Sequence, residues 1–220
     1  MKRVLVTGAN RGIGLEFCRQ LKARGDTVIA VCRKSSPELQ QLGVQILDGI
    51  DVSQAKDVAR LRQQLTDVPL DVIINNAGIL VRDNLQHPDF EGIAKQFEVN
   101  AMAPLRVSIA LLDNLSSGSK IFVITSSMGS ITENTSGAYY GYRMSKAAVN
   151  MAMKSLSVDL QDRGIGVFVL HPGYVATDMT SHQGPVSTTE SVQGLLARID
   201  ELELADSGSF HHAQGRSIPW

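Results

Sequence analysis

A chain of 220 residues with 43% hydrophobic and 20% charged side chains has the composition of an ordinary globular protein and the length for one sizeable core. Its net charge of −1 removes the electrostatic case for nucleic acid or an anionic membrane as partner, and no apolar run approaches membrane-spanning length. Two cysteines, Cys18 and Cys32, make neither a disulfide framework nor a metal centre, and Met1-Lys2-Arg3 leads into a strand pattern without a secretory h-region, so the expectation is one reduced, cytoplasmic domain over 1–220.

The first predicted element is a strand from Arg3 to Thr7, followed by Gly8-Ala9-Asn10-Arg11-Gly12-Ile13-Gly14 and a helical pattern to Leu21. A strand, a Gly-rich turn and a helix N-terminus together seat a phosphate, because glycines admit the ligand close to the backbone and free N–H groups face its charge. A second strand covers Thr27 to Cys32, and Ser35-Ser36-Pro37-Glu38 starts a helix with Ser35 as its cap. A third strand spans Val44 to Leu47, and Ser53 caps a helix whose Val58, Leu61 and Leu65 share one face. The fourth strand, Leu70 to Ile74, ends in Asn75-Asn76-Ala77-Gly78. A helical stretch from Asp89 to Leu115 is interrupted by Pro104, which predicts a break near Asn100. Then follow a strand over Ile121–Thr125, a helix over Tyr139–Arg163, a strand over Ile165–Leu170, a helix over Ser187–Leu202 and an edge strand over Gly208–His211. This alternation predicts an α/β fold, a doubly wound parallel sheet of about seven strands with helices on both faces. Ligands in such sheets sit at the carboxyl ends of the strands.

At those ends the residues have chemistry. No carboxylate follows strand two to hold a ribose 2′-hydroxyl; Cys32-Arg33-Lys34 stands there instead, and Arg11 is a second cation. Arginine binds phosphate through paired donors, so NADP(H) is favoured over NAD(H). Asp51, with the backbone of Val52, is placed to meet the adenine amino group; helix capping is its alternative role. Tyr142 and Lys146 are four residues apart on one helix face, so phenol and ammonium can share a pocket. A neighbouring cation favours phenolate, which is the sequence-based reason to expect a lowered Tyr142 pKa. Ser126, Ser127 and Ser130 all offer a hydroxyl near the end of strand five.

These segments together resemble the short-chain dehydrogenase/reductase family over essentially the whole chain. Thr7-Gly8-Ala9-Asn10-Arg11-Gly12-Ile13-Gly14 is similar to its cofactor turn, and Asn75-Asn76-Ala77-Gly78 to its strand-four motif. Pro172-Gly173-Tyr174-Val175-Ala176-Thr177-Asp178 is similar to the segment that binds nicotinamide and phosphates through Val175 and Thr177. The resemblance implies Asn100, Ser127, Tyr142 and Lys146 as the catalytic residues, with Tyr142 and Lys146 also touching cofactor. The interval from Ser127 to Tyr142 is longer than the family's commonest one, which keeps Ser126 and Ser130 open beside Ser127. Gly141-Tyr142-Arg143-Met144-Ser145-Lys146, the Glu190–Leu196 stretch and the Asp206–Trp220 ending resemble the C-factor/sniffer-like branch of carbonyl reductases. What this implies is an NADPH-dependent reductase of a small carbonyl compound, with a homo-oligomer, most simply a dimer, as the assembly. The rival readings are a cofactor-binding signalling or scaffold protein and an oxidising NAD enzyme, the latter opposed by Arg11 and Arg33.

Overall fold

A computed structural model describes residues 1–220. In chain order the first half runs β1 (Arg3–Thr7), α1 (Gly12–Ala23), β2 (Thr27–Val31), α2 (Pro37–Gln41), β3 (Gln45–Leu47), α3 (Ala55–Gln64) and β4 (Val72–Asn75). The second half runs α4 (Phe90–Gln96), α5 (Ala103–Ala110), β5 (Lys120–Ile124), α6 (Tyr140–Asp159), β6 (Gly166–His171), α7 (Thr188–Glu201) and β7 (Phe210–His212). The strands make one seven-stranded sheet in the order β3-β2-β1-β4-β5-β6-β7, every pairing parallel. This is the doubly wound Rossmann arrangement, and the order reverses between β1 and β4, where a crevice opens at the carboxyl ends.

Strand alternation divides the core in two. Leu5, Ile29, Ile73, Ile121 and Val167 face one side and pack with Val58 and Leu61 of α3, Val107 of α5, and Val149 and Met153 of α6. Val4, Val6, Val28, Ile74 and Phe168 face the other and pack with Phe17 and Leu21 of α1 and Val192, Leu195 and Ile199 of α7. Burial on both faces is why the strands read as continuous apolar runs rather than alternating ones.

Local capping departs from expectation at two helices. Ser36, not Ser35, caps α2 by accepting the Leu39 N–H at 3.2 Å, which places Pro37 at the first helical position. Gln54 holds the cap position of α3 without a side-chain bond, because Ser53 turns back to donate to Asp51 Oδ1 at 2.7 Å. The break expected near Asn100 takes a definite form: a π-helical turn, Phe97–Met102, joins α4 to α5. Pro104 has no N–H for the carbonyl four residues before it, that of Asn100, and the wider turn accommodates the loss.

Candidate active site

The Gly-rich turn is shaped by close backbone approach. Gly8 has φ +65°, and a Cβ there would lie 2.8 Å from Ala77 Cα; a Cβ on Gly14 would collide with the Gly8 carbonyl. The strand-four motif fixes this turn. Thr7 Oγ1 accepts the N–H groups of Asn76 and Ala77 at 3.0 and 3.1 Å, and Asn76 Nδ2 donates to the carbonyls of Thr7 and Gly8 at 3.0 and 3.2 Å. Asn76 therefore supports the turn, with its amide already engaged. Helix α1 starts at Gly12 with no side-chain cap from Arg11 and no acidic residue in its first turn, which leaves its N–H groups free for an anion. Asn10 and Ile13 flank this opening in a half-buried setting.

The two expected cations differ. Arg33, at the end of β2, is exposed and its guanidinium makes no ion pair. Arg11 instead pairs with Asp178 at 3.0 Å, and Asp178 also meets His182 Nε2 at 3.0 Å. This exposed pair ties the Gly-rich turn to the one-turn segment Asp178–Thr180. Asp51 is half-buried; its Oδ1 accepts from Ser53 N–H and Oγ, so it builds a local turn before α3, while Val52 beside it is buried.

Across the crevice, α6 brings Tyr142 and Lys146 to one pocket, the Lys146 Nζ 5.6 Å from the Tyr142 ring centroid. Lys146 is 4% exposed and donates to the Ile124 carbonyl at 3.0 Å. Asn100 is 1% exposed; its Oδ1 accepts the Ile79 N–H at 2.8 Å and its Nδ2 donates to the Ile79 carbonyl and to Ser145 Oγ. A Cβ on Gly78 would stand 3.3 Å from Asn100 Oδ1 and 3.7 Å from Lys146 Nζ, so the strand-four motif meets both residues.

Ser126 and Ser127 are adjacent but differ in setting. Ser126 is buried and accepts the Met128 N–H at 3.1 Å; Ser127 opens a one-turn segment and is half-buried. Ser130 is turned away, donating to the Pro219 and Trp220 carbonyls at 2.6 and 3.1 Å. The expectation that Lys146 lowers the Tyr142 pKa meets a larger opposing effect. Burial pushes the phenol up to about 12, and the group that draws it back is the Ser126 hydroxyl. Removing a phenolate from water outweighs the help of an ammonium that points at Ile124. The same burial pushes Lys146 down to about 8. Tyr142 thus keeps its proton at neutral pH, as a proton donor must. His171, at the end of β6, is pushed down to about 3 by burial and by His212, whose ring meets it edge-on at 4.9 Å, and so stays neutral.

The segment after β6 closes the far wall. Pro172 and Val175 are buried, Gly173 has φ +89°, and Thr177 Cγ2 is 3.5 Å from the position of a Gly12 Cβ. Thr180 Oγ1 donates to the Val175 carbonyl at 2.6 Å, and Ala176 N–H bonds the Val186 carbonyl at 2.9 Å, so the short loop is folded onto itself.

A family model described as short chain dehydrogenase matches residues 2–187. The chain belongs to that family. It is 37% identical over all of its length to the full length of 1-hydroxy-2-glutathionyl-2-methyl-3-butene dehydrogenase of Rhodococcus sp.. It is 44% identical to C-signal of Myxococcus xanthus, over 69% of this chain and 93% of that protein. Among solved structures, NADPH-bound carbonyl reductase from chicken fatty liver superposes with a TM-score of 0.90 at 31% identity, covering 100% of this chain and 99% of that one. The C-factor and carbonyl reductase likeness read from the sequence is matched by these proteins.

Within this short chain dehydrogenase, three contributors to the site carry no sequence signal of their own. Ser145 donates to the Tyr142 carbonyl at 2.9 Å and accepts from Asn100, linking the π-helical turn to α6. Gln96, fully buried one helical turn before Asn100, accepts the Val81 N–H at 2.9 Å. Asp83 lies in a segment without regular structure, yet its carboxylate reaches the start of α6.

Proposed function

We propose that this protein is an NADPH-dependent reductase of a small carbonyl compound, with Tyr142 as the proton donor. The observation that carries the proposal is the convergence of buried Asn100 and Lys146 on Gly78, with the buried Tyr142 ring 5.6 Å from Lys146 Nζ, beside an anion-ready helix start. The fit to a dinucleotide rests on the cradle that only glycine allows at Gly8 and Gly14 and on the uncapped N–H groups of α1. Gly8, Asn10, Gly12, Ile13 and Gly14 would hold the pyrophosphate side, Arg33 and Arg11 the 2′-phosphate, and Asp51, Val52, Ala77 and Gly78 the adenosine side. Pro172, Gly173, Val175 and Thr177 would hold the nicotinamide end. NADPH, when bound, supplies the hydride.

The protein's own residues manage the proton. Tyr142 gives its phenolic proton to the carbonyl oxygen, Ser127 holds that oxygen, and Ser126 orients the phenol. Lys146, charged, stabilises the phenolate left behind, and Asn100 anchors the Ile79 segment beside it. Residues 1–220 act as one catalytic domain in the cytoplasm on this reading.

Titration of the protein with NADPH and NADH by nicotinamide fluorescence, followed by a panel of aldehydes, ketones and quinones, tests it. Preferential NADPH binding with turnover is the expected result. Tight binding without turnover across the panel overturns the reductase reading in favour of a signalling role, which the C-signal relative's name motivates.

We also infer a homodimer. Met144, Met151 and Val158 are 49, 67 and 62% exposed at seven-residue spacing on α6, beside Met102 and Ile109 at the same spacing. Two apolar stripes on adjoining helices favour pairing with a second copy. Met151→Glu is expected to convert a dimer into a monomer in sedimentation velocity; an unchanged sedimentation coefficient sinks the inference.

A further inference from the structure

The helix that carries Tyr142 begins under strain and without a cap of its own. Ala138 and Tyr139 have φ +52° and +51°, the left-handed region that an L-residue adopts only at a cost. Tyr139 holds the cap position with no side-chain bond, and the first turn of α6 has no acidic residue. The missing cap comes from 58 residues earlier. Asp83 Oδ2 accepts the Gly141 N–H at 2.9 Å, and the Asp83 carbonyl accepts the Tyr139 N–H at 3.0 Å. Arg143 holds the other side, donating to the Gly137 and Ala138 carbonyls at 3.2 and 3.1 Å and to Ser136 Oγ at 2.8 Å.

Asp83 is only 5% exposed, and its second oxygen, Oδ1, is buried with no partner. A buried carboxylate with one oxygen unpaired costs stability, so capping for stability alone does not account for it. Its neighbourhood is equally specific. A Cβ on Gly141 would lie 2.5 Å from Gln96 Nε2 and 2.8 Å from Ile93 Cγ1, so α6 touches α4 at the residue that Asp83 holds. Gln96 in turn binds Val81, two residues before Asp83. Segment 79–83 is thus fastened by Asn100 and Gln96 and ends on the N–H immediately before Tyr142.

We propose that Asp83 is a positioning residue for Tyr142: it clamps the left-handed turn and the first N–H groups of α6, and so sets where the phenol stands relative to Lys146 and the substrate oxygen. The proposal rests on Tyr142 being the proton donor. A misplacement of about 1 Å in such a group lowers rate by about 100-fold while leaving ligand contacts elsewhere intact.

The test compares Asp83→Ala, Asp83→Asn and Tyr142→Phe in the full chain by kcat, KM, NADPH affinity and melting temperature. Asp83→Ala is expected to lower kcat by about 30- to 100-fold with KM and NADPH affinity within about twofold. Asp83→Asn, whose amide oxygen accepts the same N–H, is expected to restore kcat to within about threefold of the parent. Wild-type kcat in Asp83→Ala overturns the proposal. So does Asp83→Asn as impaired as Asp83→Ala, or a loss of NADPH affinity that matches the loss of kcat. If Asp83→Ala does not fold, Asp83→Ser, too short to reach Gly141, takes its place with the same expected and overturning results. An active Tyr142→Phe defeats the proton-donor reading itself, whereas an inactive Tyr142→Phe beside a fully active Asp83→Ala defeats only the positioning role.

Discussion

Tyr142→Phe is expected to lower the rate of carbonyl reduction by about three orders of magnitude and to leave NADPH affinity within about twofold. The loss follows from the site's electrostatics. Tyr142 holds its proton because burial pushes the phenol up to about 12, so the parent protein is charged with donor at any working pH near neutrality. Phenylalanine keeps the ring and its packing but has no proton to give. Single-turnover mixing of NADPH-loaded protein with substrate, followed at the nicotinamide absorbance, measures the effect; a variant within about tenfold of the parent removes Tyr142 from the acid role. The parent's pH profile carries a second expectation. Lys146 is pushed below its ordinary value, to about 8, and only its charged form stabilises the phenolate. Activity is therefore full below about pH 8 and declines as pH rises through it. An alkaline limb first appearing near the ordinary lysine value, about 10.4, contradicts a buried Lys146 as the partner.

Arg33→Asp is expected to weaken NADPH binding by at least about 30-fold while changing NADH affinity little, so that the preference between them collapses or inverts. Charge-assisted hydrogen bonds to a phosphate contribute about 1.5–3 kcal/mol, and a carboxylate in the same place adds repulsion. Arg33 is expected to be the larger contributor of the two cations because its guanidinium makes no ion pair, whereas Arg11 is held by Asp178 at 3.0 Å. An exposed pair of that kind is worth at most about 1 kcal/mol, so a phosphate can draw Arg11 away, but part of its attraction is offset. Arg11→Ala is accordingly expected to cost less than Arg33→Asp. Fluorescence titration with both dinucleotides decides this, and unchanged selectivity in Arg33→Asp removes the arginine from cofactor choice.

Much of the candidate site is legible in the sequence. The turn from Gly8 to Gly14 follows β1 as read, and Gly8 and Gly14 are required by close contact with Ala77 and with the Gly8 carbonyl. The i, i+4 spacing of Tyr142 and Lys146 does bring both to one pocket, since helical geometry alone sets which residues share a face. Pro104 announced a break near Asn100, although not that the chain would answer with a π-helical turn. The caps of α2 and α3 lie one residue beyond Ser35 and Ser53, because Ser35, Ser36 and Ser53 compete for local bonds that propensity does not rank.

What the sequence by itself determined is therefore what short segments and their periods dictate: strand and helix alternation, the phosphate-ready turn, and the pairing of phenol with ammonium. Other features came only with the tertiary structure. Arg11 is shared with Asp178, the phenol's pKa moves up instead of down with the Ser126 hydroxyl drawing it partly back, and Asp83 caps the helix of Tyr142. Each depends on burial or on contact between segments far apart in the chain, 58 residues for Asp83 and Gly141 and 167 for Arg11 and Asp178. Desolvation and through-space bonding are properties of the packed molecule, and local patterns do not encode their distances.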